Sequence, residues 1–188
     1  MLTEKEAKIL FEDPIDIDKI KDQIPKESHD IFKQRAKMDD DKYNDSLIAF
    51  LKYIAITSLL DKGRFIPVNI DADNVWHEFI LQTEFYRNFC HNILPGKRFI
   101  DHLSVGFNYY KDKKDFNEEE TVKHLIEWLG FHYGYFGHFV DKDFEYWSCL
   151  GFLKKEMNMN LDDINKHAEK VYFEMYDEKL KILKKINC

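Results

Sequence analysis

The chain is poor in the residues that punctuate loops and staple small folds, with 3 Cys, 4 Pro and 7 Gly in 188 residues. Cys90, Cys149 and Cys188 are widely spaced, odd in number and form no C-x-x-C pair. No disulfide framework is expected from them, and reduced thiols in a cytoplasmic compartment fit the pattern. Free positive charge is scarce as well. The net charge is -7, from 35 acidic against 28 basic residues, and the lysines of Lys111-Asp-Lys-Lys-Asp115 are offset by their neighbours. Counterion release, the main drive for nucleic-acid binding, has little to act on, so no nucleic-acid partner is expected.

Long apolar runs are missing too. The most apolar stretch, Ser46 to Leu60, is interrupted by Lys52 and falls short of the roughly 20 residues a membrane span needs, so no membrane insertion is expected. The opening Met-Leu-Thr-Glu-Lys-Glu-Ala-Lys has no basic segment followed by an apolar one, which argues against a secretory signal. No run alternates convincingly enough for a sheet. Gly130-x-x-x-Gly134-x-x-Gly137 has neither a preceding strand nor the lysine of a phosphate loop, and no G-x-S-x-G elbow occurs.

Aromatic residues, by contrast, are abundant: 16 Phe, 10 Tyr and 3 Trp. With 44% hydrophobic and 34% charged residues, the composition is that of a soluble globular chain able to bury a sizeable core, and residues 1–188 read as a single domain. Thr3-Glu-Lys-Glu6 has capping-box spacing ahead of Ile9, Leu10 and Phe11, predicting a short helix that Pro14 stops. Ile15, Ile17, Ile20 and Ile24 support a brief helical turn. Pro25 suits the first position of a helix from about Lys26 to Lys37. After a solvated break at Asp39-Asp-Asp41, a broad apolar stripe from Tyr43 to Leu60 marks a central helix, with Gly63 as its stop.

Arg64 to Ile70 reads as an extended connector around Pro67. A helix from about Ala72 to His91 follows, capped by Asp71, and Pro95-Gly96 then turns the chain. Lys97 to Tyr110 fits a loop or a short helix. Asn117 with Glu118, Glu119 and Glu120 starts a helix expected to stop near Gly130. The aromatic, glycine-punctuated segment 131–153 fits no single element. Residues 161–186 form a C-terminal amphipathic helix with Leu161, Ile164, Ala168, Val171, Met175, Ile182 and Ile186 on one face. The fold class is therefore all-α, an irregular helical bundle of about six to seven helices.

Chemistry-bearing side chains concentrate between Asp71 and His102. At about 100° per residue, Val75, Phe79, Thr83, Tyr86, Phe89 and Cys90 share one side of a continuous helix, with Trp76 at its margin. Asp73, His77, Glu84, Arg87 and His91 share the other, and Asp73 and His77, four apart, are close enough to touch. Trp76 is expected to be a packing anchor whose indole N–H finds a buried acceptor. Tyr86 and Cys90 fall on the apolar side, where a cysteine is usually inert.

The pattern Asp71-x-Asp73-x-x-Trp76-His77, then Tyr86, Cys90, Gly96 and Phe99-Ile-Asp-His102, resembles the signature of the glycine-rich domain-containing protein-like family. With the preceding helix and the Phe65-Ile-Pro67 connector, the resemblance covers residues 43–102. Many relatives carry a second histidine two positions after the first, where this chain has Phe79. The resemblance implies a helical domain and says little about activity.

Two readings of the motif stay open. In the plainer one, His102 folds back onto the helix and its ring pairs with Asp73 or a backbone carbonyl, pinning the loop. In the sharper one, His77 and His102 ligate zinc or another divalent metal, with Asp73, His91 or Cys90 completing the site. His124, His132 and His138, among Trp128, Tyr133, Tyr135 and Phe136, form a secondary candidate for a metal or an aromatic pocket. The functions that follow are a cytoplasmic protein-interaction or scaffold module that meets a protein partner, or a metal-dependent enzyme with Glu84 or Asp73 as proton acceptor.

Overall fold

A computed structural model describes residues 2–61, 67–102 and 118–187, with the side chains of 118–121 excepted. Gly63, Arg64 to Ile66, Leu103 to Tyr110 and the Asn117 cap lie outside the described residues, so the expectations placed on them are not addressed. The described residues form ten α-helices and a π-helical turn, and no strand. The fold is all-α, but the expected six to seven helices are too few. The excess comes from short helices that sequence periodicity cannot separate.

The first three helices are α1 (Glu4–Ile9), α2 (Ile17–Lys21) and α3 (Lys26–Ala36). Helix α1 starts as its sequence predicts: Thr3 Oγ1 accepts from the Glu6 N–H at 3.1 Å, and a Glu6 carboxylate oxygen accepts from the Thr3 N–H at 2.9 Å. The other Glu6 oxygen accepts from the Asp61 N–H at 3.0 Å, tying α1 to the far end of the next long helix. Pro25 is the N-cap of α3, and Lys37 ends it in the left-handed region at φ 56°.

Helix α4 (Asp40–Leu59) is the centre of the molecule. Its stripe is so broad that Leu47, Phe50, Leu51, Tyr53, Ile54, Ile56 and Leu59 are all buried, as expected of a helix covered on most sides. The acidic run before it is more than a break: Asp39 caps α4 by accepting from the Lys42 N–H at 2.8 Å, and Asp40 and Asp41 occupy the first turn.

The predicted helix over 72–91 is three elements: α5 (Ile70–Leu81), α6 (Thr83–Asn88) and the π turn (Phe89–Ile93). The break is at Gln82, φ -92° and ψ 68°, whose N–H returns to the Phe79 carbonyl. Neither glycine nor proline marks it. Packing decides instead, because the bend lets Phe79, Phe85 and Phe89 converge with Phe32, at ring separations of 4.7 to 6.2 Å.

Helix α7 (Glu118–Phe136) runs through Gly130 and Gly134 rather than stopping there. It packs along α10 (Leu161–Ile186), and a Cβ on Gly130 would meet Val171 Cγ1 at 2.7 Å. That glycine permits close helix approach and does not end the helix. The unassigned aromatic segment supplies the end of α7, then α8 (Asp143–Tyr146) and α9 (Ser148–Glu156).

The bounds of α10 match its sequence periodicity, with an Asn160–Asp163 capping box and Ile164, Ala168, Val171 and Met175 buried. Lys179, also buried, reaches from α10 to the Leu10 carbonyl at 2.5 Å and to Glu12, fastening the N-terminal segment. A continuous apolar core runs from Leu10 to Met175. No helix among the described residues is long and apolar enough to cross a membrane.

Candidate metal centre

Helix α5 is anchored at its start. The extended connector residue Val68 forms an isolated bridge with Trp147, and the Asn69 N–H donates to the Tyr146 carbonyl at 2.8 Å. Asn69, and not Asp71, is the N-cap, its side-chain oxygen accepting from the Ala72 N–H at 2.9 Å. Asp71 sits in the first turn and pairs with Lys42 of α4 at 3.0 Å. The cap is two residues earlier than expected because asparagine serves as well as aspartate there and the bridge fixes where the extended chain ends.

Trp76, one turn further, is buried between Phe50 and Tyr53 of α4, with ring separations of 5.9 and 5.4 Å. Its indole N–H donates to the Tyr86 hydroxyl at 3.0 Å, and that hydroxyl donates to the Ile100 carbonyl at 2.7 Å. Burial raises the Tyr86 pKa, so the group stays a hydroxyl and serves as acceptor and donor at once. The relay joins α5, α6 and the loop that carries His102.

The same loop is held from a second side. After the π turn, Pro95-Gly96 docks on the C-terminal end of α4, where the Gly96 N–H donates to Ser58 Oγ at 3.0 Å. Arg98 donates through Nε to the Ser58 carbonyl at 3.1 Å and through Nη2 to the Thr57 carbonyl at 3.0 Å. These carbonyls lie at the negative pole of the α4 C-terminus, which suits a guanidinium, and the Thr57 carbonyl also accepts from the Leu60 N–H at 3.2 Å. A Cβ on Gly96 would lie 1.9 Å from the Ser58 carbonyl oxygen, so the backbone must come this close and only glycine fits.

Held this way, the loop places His102 beside α5. Its Nε2 is 2.9 Å from Asp73 Oδ1, and its ring stands edge-on to Trp76 at 4.3 Å. His77 reaches the same point from the next turn of α5: its ring is 4.5 Å from that of His102, and its Nε2 is 4.0 Å from Asp73 Oδ2, too long for a hydrogen bond. One ligand atom from each of Asp73, His77 and His102 falls within 4.8 Å of the others. Side-chain exposure grades from 6% at His102 through 21% at Asp73 to 42% at His77, so the group has a protein side and a solvent side.

The remaining candidates fall elsewhere. Cys90 is buried, and burial pushes its thiol pKa up, away from the thiolate a metal would take. His91 is exposed against the Phe99 ring at 6.5 Å. The break at Gln82 cuts the projected polar stripe between His77 and Glu84, and Glu84 lines an open surface groove with Leu81 and Phe85. Among the described residues, no other group of three or more His, Cys, Asp or Glu is arranged to hold a metal, so His124, His132 and His138 do not form one.

His132 is fully buried in α7, stacked on Phe139 at 3.9 Å with neither ring nitrogen partnered, and burial drives its pKa well below the usual histidine value. His138 is exposed beside Tyr133. Asn69, Ser58 and Arg98 were not singled out by sequence. Asn69 carried a readable signal as a cap residue ahead of a helix, whereas nothing local marks Arg98 as the partner of a helix end forty residues away.

No family model matches the chain, and no curated protein or solved structure shows significant similarity to it.

Proposed function

We propose that Asp73, His77 and His102 bind a divalent metal ion of the zinc type. One observation carries this reading: His77. Pinning the loop needs only the His102–Asp73 hydrogen bond and the Tyr86 relay. His77 adds a third nitrogen or oxygen donor aimed at the same point, without a hydrogen bond of its own to Asp73. Two imidazoles and a carboxylate are a donor set zinc accepts, at metal–ligand distances of about 2.0–2.2 Å. Around a tetrahedral ion such ligands stand roughly 3.3 Å apart, so the present spacing requires small side-chain movements and no change of fold.

Three protein ligands and an open solvent side leave a position for water, the arrangement of catalytic rather than structural zinc sites. With Asp73 as ligand, a metal-dependent enzyme would need its proton acceptor from solvent or from another group. Buried free thiols at Cys90 and Cys149 support a reducing, cytoplasmic setting. The resemblance of residues 43–102 to the glycine-rich domain-containing protein-like family rests on the motif residues alone, and the metal proposal does not depend on it.

The experiment is a titration of metal-free protein with Co2+, followed by visible absorption. A saturating d–d band at one equivalent, absent in His77→Ala and in His102→Ala, supports the site. An unchanged spectrum at millimolar Co2+ rules it out.

An interaction module is the second reading, and it rests on α10. Phe173 and Leu180 lie seven residues apart on one helix face and are 54% and 40% exposed. Sedimentation of the wild-type chain against a Phe173→Lys, Leu180→Lys variant tests it for self-association. A concentration-dependent mass abolished by the substitutions supports this reading, and a monomer at all concentrations removes the face as a dimer contact.

A further inference from the structure

Helix α5 turns one long face to solvent. Ile70, His77 and Leu81, spaced by seven and then four residues, fall on that face together. Ile70 is 67% and Leu81 63% exposed, more than any other large apolar side chain among the described residues, and His77 stands between them. A single exposed aliphatic residue is ordinary. These two differ in what lies beside them.

At Ile70 the chain runs straight back into the Asn69 cap and the Val68 bridge. Past Leu81 the helix breaks. Gln82 is non-helical, α6 starts afresh at Thr83, and a groove of about 530 Å³ opens at the break. Leu81 and Phe85 are its apolar lining, and Phe85 is held against Phe79 and Phe89 at ring separations of 5.5 and 5.9 Å. Gln82, Thr83 and Asn88 add neutral hydrogen-bonding groups, and Glu84 adds a negative charge. Leu81 thus belongs to two features at once. It lines the groove, and it lies one helical turn, about 5 Å along the axis, from His77 of the metal centre.

We propose that the metal centre and this groove form one ligand site, for a straight-chain acyl compound with an uncharged tail. The inference rests on the metal reading of Asp73, His77 and His102. The acyl oxygen occupies the open coordination position, where a zinc-type ion polarises a carbonyl. The tail runs over Leu81 towards Phe85, and both gain from covering apolar surface that is otherwise wet. Four methylenes beyond the carbonyl span about one helical turn, roughly 5 Å, enough to reach the groove. Glu84 disfavours a second carboxylate at the far end of the ligand.

The test loads the full chain with one equivalent of Co2+ and follows the visible band during titration with acetohydroxamate and with hexanohydroxamate. Both compounds offer the same pair of donor oxygens and differ only in their tails. Hexanohydroxamate is expected to bind roughly tenfold more tightly or better. That advantage should shrink at least threefold in Leu81→Ser and persist in Ile70→Ser, since the groove opens beyond Leu81 alone. Equal affinity for the two compounds, or an advantage unchanged in Leu81→Ser or lost equally in Ile70→Ser, overturns the proposal and leaves the metal centre standing. A wild-type chain that develops no Co2+ band overturns both.

Discussion

Replacing Tyr86 by Phe removes one oxygen atom and tests how the loop bearing His102 is held. In the wild-type protein that oxygen accepts from the Trp76 indole at 3.0 Å and donates to the Ile100 carbonyl at 2.7 Å, all within the buried core. The Trp76 N–H, shut away from water, would lose its acceptor, at about 1–3 kcal/mol for an orphaned buried donor. The Ile100 carbonyl would lose an ordinary bond at about 1 kcal/mol. Together these predict a loss of about 2–4 kcal/mol in urea unfolding, with a fall in Tm of about 5–10 °C for a chain of this length.

A Trp76→Phe, Tyr86→Phe double variant should lose less than the two single variants summed, because the orphaned N–H disappears with the indole. Ile100 is two residues from His102, so Tyr86→Phe should also weaken metal binding. A change in stability within about 0.5 kcal/mol, the level of a neutral surface substitution, would refute the relay as the loop's fastening.

Gly96→Ala should destabilise by about 1–3 kcal/mol or more, since the new methyl would lie 1.9 Å from the Ser58 carbonyl oxygen and the backbone must move; urea unfolding measures it. His77→Ala should leave unfolding free energy within about 0.5 kcal/mol, because His77 is half-exposed, while His102→Ala should lose about 1–3 kcal/mol with its Asp73 bond and its contact on Trp76. His132 is buried with its pKa lowered, so the unfolded chain takes up a proton that the folded one refuses. Stability should therefore be complete above pH about 6.5 and fall as the pH drops below it, by up to about 1.4 kcal/mol per pH unit, until the folded pKa is reached. In His132→Phe, urea unfolding between pH 7 and 5 should lack that component.

Much of the architecture could be read from local chemistry. The capping box at Thr3-Glu6 and the 3.6-residue periodicity of α10 are short-range signals, and nothing in the tertiary structure overrides them. The polar corner of Asp73 and His77 followed from their spacing of four, and the bend at Pro95-Gly96 suggested where His102 would return. What stayed hidden depends on distant partners. Gln82 breaks a helix without a breaker residue because four phenylalanines pack better around the bend. Gly130 reads as a stop in isolation and becomes a contact point only when α10 is present. Glu84 and His91 left the stripe for the same reason: a helical wheel assumes a continuity that Gln82 interrupts.

Elemental analysis of the full chain, purified without a tag, loaded with one equivalent of zinc and then dialysed exhaustively against metal-free buffer, addresses the metal centre most directly. The proposed site predicts one zinc retained per chain in the wild-type protein and none in a His77→Ala variant of unchanged stability. Zinc-free wild-type protein, or zinc retained equally by the variant, would contradict it.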